Sequence, residues 1–247
     1  QILGDVLDLG TPSDATVTAA KIGANAVTAA KLNNDIISGS TELASEPADT
    51  DEFLVSDAGT LKRIDYSLIK ASPAMEQISQ TTVSSAVASV SLTGMDSTYQ
   101  TYKIIGNDIT LASSDNYFFR FINSSGDITG SSYYGVGDGA YKPYNSSDAN
   151  LRYSNYNSNY GRIQNFDPST NATNASSFEM IIPNPSNTAT YPYCYGSVGW
   201  SGGNGTYMIT ATFAFQYTSA GAITGLKFYG NGSVNTSTGT FTLYGLK

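Results

Sequence analysis

The sequence predicts a mainly β protein, in which a jelly-roll-like antiparallel β-sandwich head follows a short helical or extended stem. Two observations predict this fold class. Several segments in the C-terminal two thirds alternate apolar and polar residues with the two-residue period of a strand. Turn signals rich in Gly, Asn, Ser and Asp separate them, with no helical pattern in between, which is typical of antiparallel sheets.

Changes of composition divide the chain into three parts. Residues 1–40 form a repeat-containing stem, residues 41–73 a hairpin collar and linker, and residues 74–247 the β-sandwich head. The last part is long enough to bury one hydrophobic core.

The stem contains a short repeated motif. The sequence "VTAAK" begins at Val17 and again at Val27. Its larger apolar residues recur every five positions, which fits neither a coiled coil nor a strand. Counting Ala20 and Ala24 as apolar gives a partial helical face. We expect short helical pieces that cannot bury a core alone, so the stem either packs against copies of itself or is a disordered linker.

The collar contains two short predicted strands, "EFLVSD" at 52–57 and "LKRID" at 61–65. Between them, Gly59 is available for the positive φ that a tight turn requires. Ser67 begins a helical turn, which Pro73 prevents from continuing. A single hairpin is marginal in water, so the collar also needs a partner.

In the head, the clearest strand is "TYMITATFAFQY" at 206–217, since its aromatic and aliphatic residues share one face and its threonines the other. The other predicted strands are 101–111, 116–122, 176–182, 222–229 and 239–246. Trp200 is the only tryptophan. We interpret it as a core or edge anchor, with a ligand platform as the alternative.

Charge and hydropathy exclude two classes of partner. The net charge is −8 and the pI near 4.3, and the 12 Lys and Arg residues are scattered, so a nucleic-acid partner is not expected. No apolar run approaches the roughly 18 residues that a membrane span needs, so no membrane insertion is expected.

Catalytic and metal chemistry also lack their usual residues. Histidine is absent, and Cys194 is the only cysteine, so the commonest general base and any intrachain disulfide are missing. Most carboxylates of the head lie beside Gly, Ser or Pro, as turn residues do, and no motif holds two of them at a catalytic separation. We expect no enzymatic activity, no cofactor and no metal site.

Tyrosine is concentrated between residues 133 and 160, among Asn, Ser and Gly. Most of this stretch lacks strand alternation, which predicts long loops on a rigid scaffold, where binding residues tend to lie. Tyrosine mixed with Ser, Gly and Asn is also the composition of antibody paratopes, and an exposed aromatic ring near Asn suits a sugar. The candidate receptor-binding residues are Tyr133, Tyr134, Tyr141, Tyr144, Tyr153, Tyr156, Tyr160 and Arg152.

Two alternatives stay open for this stretch. The tyrosines could pack an interface between copies of the chain or the edge of the sandwich instead of contacting a receptor. Arg152 and Lys142 are its only cations before Tyr160, and either could meet an acidic sugar.

Three motifs resemble one family. The "VTAAKIGANAVTAAKL" repeat resembles the "AVTTAKI" tandem repeats in the stems of bacteriophage tail fibres. The segment "DTDEFLVSDAGTLKRIDYSLI" is similar to a D-x-F-L-V-x-D unit that recurs in phage tail and virion fibre proteins. The ending "AITGLKFYGNGSVNTSTGTFTLYGLK" resembles the C-terminal strands of phage fibre tips, which end in G-T-F-x-L-Y-G.

The resemblance implies a homotrimeric fibre of the virion with a trimeric stem and a head that binds a host-cell surface glycan. The N-terminal region would contact other virion proteins of the tail, or of the capsid surface. The alternative is a structural head fibre or capsid decoration protein with no primary receptor role. An ion on the trimer axis, held by three copies of one Asp or Asn, stays open.

Overall fold

The computed structural model of the chain describes residues 16–24, 26–28, 31–32, 35–71, 73–113, 115–143, 149–164, 175–202 and 207–247. The chain divides into two compact units, residues 1–71 and residues 72–247. This division lies close to the boundary predicted between the collar and the head.

The described residues of the N-terminal unit form few regular elements. These are a 3-10 turn at Ala19–Lys21, helix α1 at Asp35–Ser38, strands β1 at Glu52–Asp57 and β2 at Thr60–Asp65, and helix α2 at Tyr66–Ile69. Strands β1 and β2 form the predicted hairpin, with Asp57 opposite Thr60 at its end. Ala58 and Gly59 have φ values of 48° and 83°, which confirms the positive φ expected at Gly59.

The C-terminal unit is built from antiparallel strands. They are β3 Met75–Val83, β4 Val90–Thr93, β5 Thr101–Leu111, β6 Tyr117–Asn123, β7 Gly126–Asp127, β8 Tyr133–Pro143, β9 Ala149–Ser158, β10 Gly161–Gln164, β11 Ser176–Pro183, β12 Tyr193–Gly202, β13 Tyr207–Tyr217, β14 Gly225–Gly230 and β15 Thr236–Leu246. A 3-10 turn at Asn231–Ser233 joins the last two. The six strands predicted in the head are all present, at β5, β6, β11, β13, β14 and β15.

These strands form two sheets. The eight-stranded sheet has the order β3-β15-β5-β11-β12-β13-β8-β9. The five-stranded sheet has the order β10-β6-β14-β4, with β7 also paired to β6. All pairings between the described strands are antiparallel, which confirms the mainly β, antiparallel class. The jelly-roll topology and the trimeric stem stay predictions.

One aromatic core lies between the two sheets. The ring of Phe119 in the five-stranded sheet lies 5.6 Å from that of Phe215 in the eight-stranded sheet. The ring of Phe228, also in the five-stranded sheet, lies 5.3 Å from that of Phe178 and 5.7 Å from that of Phe241, both in the eight-stranded sheet. The two sheets therefore pack face to face, as in a β-sandwich, and each has an outer face directed away from this core.

Residues 133–143 and 149–158 differ from the prediction, because they form strands instead of long loops. Strands β8 and β9 pair as a hairpin over most of this stretch. The expected alternation is hidden by Gly135, Gly137 and Gly139, which occupy the positions where a strand would carry apolar side chains. A Cβ at Gly135 would lie 2.2 Å from the Phe215 ring, and one at Gly137 would lie 2.0 Å from the ring of Tyr153. Aromatic rings from other strands fill this space instead.

Two further predictions concern single elements. Strand β13 buries Ile209, Ala211, Phe213 and Phe215, which confirms the face predicted for it. Trp200 is 2% exposed and belongs to the core, so the alternative of a ligand platform is wrong.

Candidate functional site

An open groove lies on the outer face of the eight-stranded sheet, where β12, β13, β8 and β9 run side by side. We call it the tyrosine groove, and its outward side chains are Tyr134, Val136, Ser154, Tyr156, Tyr193, Ala214 and Gln216. Its volume is about 490 Å³, within the range of small-ligand sites.

Strand register places these side chains in rows across the sheet. One row runs from Tyr195 through Ala214 and Val136 to Ser154. The neighbouring row runs from Tyr193 through Gln216 to Tyr134. Ala214 and Ser154 contribute small side chains to the groove, with Tyr193 of β12 at one side and Tyr156 of β9 at the other.

The tyrosines of the groove present both ring and hydroxyl. The rings of Tyr134 and Tyr156 meet edge to face at 5.1 Å and 86°. Tyr156 is 81% exposed and Tyr193 is 47% exposed, so their rings are open to a ligand. The Tyr134 hydroxyl donates a long hydrogen bond of 3.5 Å to Asn157 Oδ1. This combination suits a sugar, which offers C–H groups on one face and hydroxyls at its rim.

A second hollow of about 410 Å³ continues the groove along β8 and β9, sharing Val136 and Ser154 with it. It holds Asp138 and Arg152, which are paired across the two strands. Arg152 Nε lies 3.3 Å from Asp138 Oδ2, and both side chains are largely exposed. An exposed pair of this kind contributes little stability, so either group is free to exchange its partner for a ligand.

The structure brings three of the predicted site residues together and places three others elsewhere. Tyr134, Tyr156 and Arg152 lie on the outer face, in or beside the tyrosine groove. For Tyr141 the structure describes only the backbone, in β8 opposite Ile209. Tyr144 lies outside the described residues.

Tyr133 and Tyr153 belong to the core, which corrects their assignment as receptor-binding residues. Tyr133 is fully buried, accepts a hydrogen bond from the Phe121 amide at 2.9 Å and donates one to the Ile128 carbonyl at 3.0 Å. Tyr153 is 8% exposed and donates to the Ile163 carbonyl at 3.0 Å. Burial raises the pKa of both hydroxyls, which therefore stay protonated as donors.

Tyr160 is also away from the groove. Its ring stacks on Phe118 at 4.0 Å and 16°, on the outer face of the five-stranded sheet. Its backbone carbonyl accepts a hydrogen bond from Asn155 Nδ2 at 3.0 Å.

Sequence reasoning missed Tyr193 and Gln216, which complete the groove from β12 and β13. Both alternate with buried neighbours, since Cys194 and Phe215 point into the core. The alternation of the sequence did indicate an outward position for Gln216, which lies on the polar face of the predicted strand 206–217. It was weaker for Tyr193, because Gly196 and Gly199 interrupt the pattern of its strand.

The described residues offer neither a metal-binding cluster nor a membrane-spanning helix. No group of three or more His, Cys, Asp or Glu side chains in the described part of the chain is arranged to hold a metal ion. None of the helices formed by the described residues has the length and apolar character of a membrane span.

Comparison with known proteins gave no relative. No protein-family model matches the chain, and no curated protein or solved structure is significantly similar to it.

Proposed function

We propose that the chain is a bacteriophage virion fibre protein of the tail-fibre type, whose head binds a host-cell surface glycan in the tyrosine groove. In the proposed fibre, three copies share one axis, with the stem at 1–40, the collar at 41–73 and a jelly-roll-like head at 74–247. The N-terminal region contacts other virion proteins.

The tyrosine groove carries this proposal. It places exposed rings, an amide and hydroxyls on a rigid sheet, and tyrosine provides a large contact area at low entropic cost. The small side chains of Ala214 and Ser154 keep the groove open beside the exposed rings of Tyr193 and Tyr156, against which a pyranose ring would pack. Modest affinity at one groove becomes strong attachment when three heads of a fibre, and several fibres, bind together.

The assignment to a fibre is supported by two further observations. The stem repeat, the collar unit and the C-terminal strand motif occur in the order in which phage fibres carry them. In addition, large apolar side chains of the N-terminal unit are exposed in the single chain, among them Leu54, Leu61 and Leu68 at 70% or more. Exposed apolar surface of this kind marks an interface, and symmetric copies of the chain would cover it.

Alanine at Tyr156 or Tyr193 tests the site. We expect each change to lower binding of the full-length protein to its glycan by at least about tenfold, as for an aromatic hot spot worth about 1.4 kcal/mol or more. The probe is an array of bacterial O-chain and capsular polysaccharides, followed by adsorption to the cells that carry the bound polymer.

Tyr191→Ala is the matched control, since Tyr191 is 49% exposed, close in sequence, and not part of the groove. Equal binding by all three variants would remove the site assignment. Normal adsorption by particles that carry the groove variants would favour the alternative role, a structural head fibre or capsid decoration protein.

A further inference from the structure

The outer face of the five-stranded sheet gathers three cations of an acidic chain. Arg162 lies on β10, Arg120 on β6 and Lys227 on β14. Arg120 and Lys227 point outward, because the residues on either side of each in its strand are buried. Arg162 lies on the edge strand, with its guanidinium 5.7 Å from the ring centres of both Phe118 and Tyr153. This face is on the other sheet from the tyrosine groove.

Arg120 and Lys227 are direct cross-strand partners. Like charges in such positions destabilise a sheet, since the Cβ atoms of directly opposed residues are about 5 Å apart. Asp127 Oδ2 lies 2.7 Å from Lys227 Nζ and balances one of the two charges. Among the described residues, no carboxylate lies at ion-pair distance from Arg120. The pair therefore retains one positive charge without a counterion.

The contacts that hold Arg120 in place use its Nε and its guanidinium plane. Its Nε donates to the Asn159 carbonyl at 2.8 Å, and its guanidinium lies 5.0 Å from the centre of the Tyr229 ring. Within the described chain, its terminal nitrogens form no hydrogen bond. Two parallel N–H groups in a fixed plane match the geometry of a carboxylate or a sulfate.

The surroundings of Arg120 and Lys227 are aromatic and partly shielded from solvent. Phe118 is 3% exposed beneath the Tyr160 ring, and the Tyr229 ring meets it edge to face at 5.9 Å. The Lys227 and Asp127 side chains are only 30% and 28% exposed. Charges act more strongly in such a setting than in open water. The Tyr229 hydroxyl oxygen is enclosed with no hydrogen-bond partner in the described part of the chain, and burial raises its pKa to about 12, so it keeps its proton.

We propose that this face is a second binding site, at which Arg120 and Lys227 hold the carboxylate or sulfate group of an acidic saccharide. The anion supplies the missing counterion for the cross-strand pair. The rings of Tyr160 and Tyr229 beside it offer apolar contact to the sugar that carries the charge. Neither the fibre assembly nor the tyrosine groove is needed for this site.

The test is titration of the 247-residue chain with a glucuronate-containing oligosaccharide, followed by calorimetry. Controls are the neutral glucose oligosaccharide of the same length and sodium sulfate. We expect the acidic oligosaccharide to bind, the neutral one not to bind, and sulfate to bind at least about tenfold more weakly. We also expect affinity to fall as salt is added, because the contact is ionic.

Arg120→Gln should lower the affinity for the acidic oligosaccharide at least about tenfold, whereas Lys103→Gln should not. Lys103 is a suitable control because it is a half-buried cation paired with Glu179 on the other sheet. Arg120→Lys keeps the charge and removes the paired N–H groups of the guanidinium. It should weaken binding severalfold while preserving the fold. Tyr156→Ala should leave this binding unchanged, which separates this site from the groove.

Three results would overturn the proposal. They are no binding of the acidic oligosaccharide by the unaltered protein, equal affinity for sulfate and oligosaccharide, and equal affinity of the Arg120 and Lys103 variants. The second would identify a site for small anions in place of a saccharide site.

Discussion

Neighbouring tyrosines in this chain face opposite sides of the sheet. The sequence could predict the orientation of only some of them. Tyr133 is fully buried, whereas Tyr134 faces outward beside Tyr156. The tyrosine-rich composition indicated the segment that supplies Tyr134 and Tyr156, but not Tyr193 and Gln216 of β12 and β13. It could not assign faces, because glycines stand where a strand normally shows its apolar residues. The side on which Tyr153 packs depends on the space above Gly137, which belongs to another strand.

Tyr133→Phe should therefore destabilise the head without changing glycan binding. The substitution removes a hydroxyl that accepts from the Phe121 amide and donates to the Ile128 carbonyl, and both of those groups would lose a buried partner. We expect a loss of about 1–3 kcal/mol in the free energy of unfolding, measured by urea denaturation. Tyr134→Phe is the control and should cost less than about 0.5 kcal/mol, since that side chain is on the outer face. Equal losses would contradict the assignment of faces.

Elements with clear alternation could be predicted from the sequence, and glycine-rich elements could not. Strand β13 shows the alternation openly and was placed within one residue of its observed start. Strand β12 carries Gly196 and Gly199, and β8 carries three glycines, so their periodicity is weak although their pairing is continuous. Their register is determined by contacts with neighbouring strands, which a single sequence does not display.

Gly196 and Gly199 of β12 should respond differently to alanine. A Cβ at Gly196 would lie 2.0 Å from the Glu179 carbonyl oxygen of β11, so the strands would have to separate locally. At Gly199 the nearest atom would be 3.9 Å away, which is ordinary contact. We expect Gly196→Ala to lower the free energy of unfolding by about 1–3 kcal/mol and Gly199→Ala to change it by less than about 0.5 kcal/mol. Similar midpoints in thermal unfolding would show that the sheet is less tightly packed than described.

At the scale of the whole molecule, the two units differ in whether one chain can bury a core. The C-terminal unit packs large aromatic side chains between two sheets. In the N-terminal unit, no side chain among the described residues from 16 to 71 is buried. The sequence predicted this contrast, because neither the short stem repeat nor a single hairpin can enclose apolar residues. How copies of the chain meet depends on contacts outside one chain and could not be predicted from it.

The native mass of the 247-residue chain in solution tests the fibre assignment most directly. Light scattering should give three times the chain mass of 26.1 kDa, because three copies sharing an axis would cover the apolar side chains of the N-terminal unit. A trimer that is independent of protein concentration in the micromolar range is the predicted result. A monomer at all concentrations would contradict the account, since residues 1–71 would then form an unassembled extension of a β-sandwich protein.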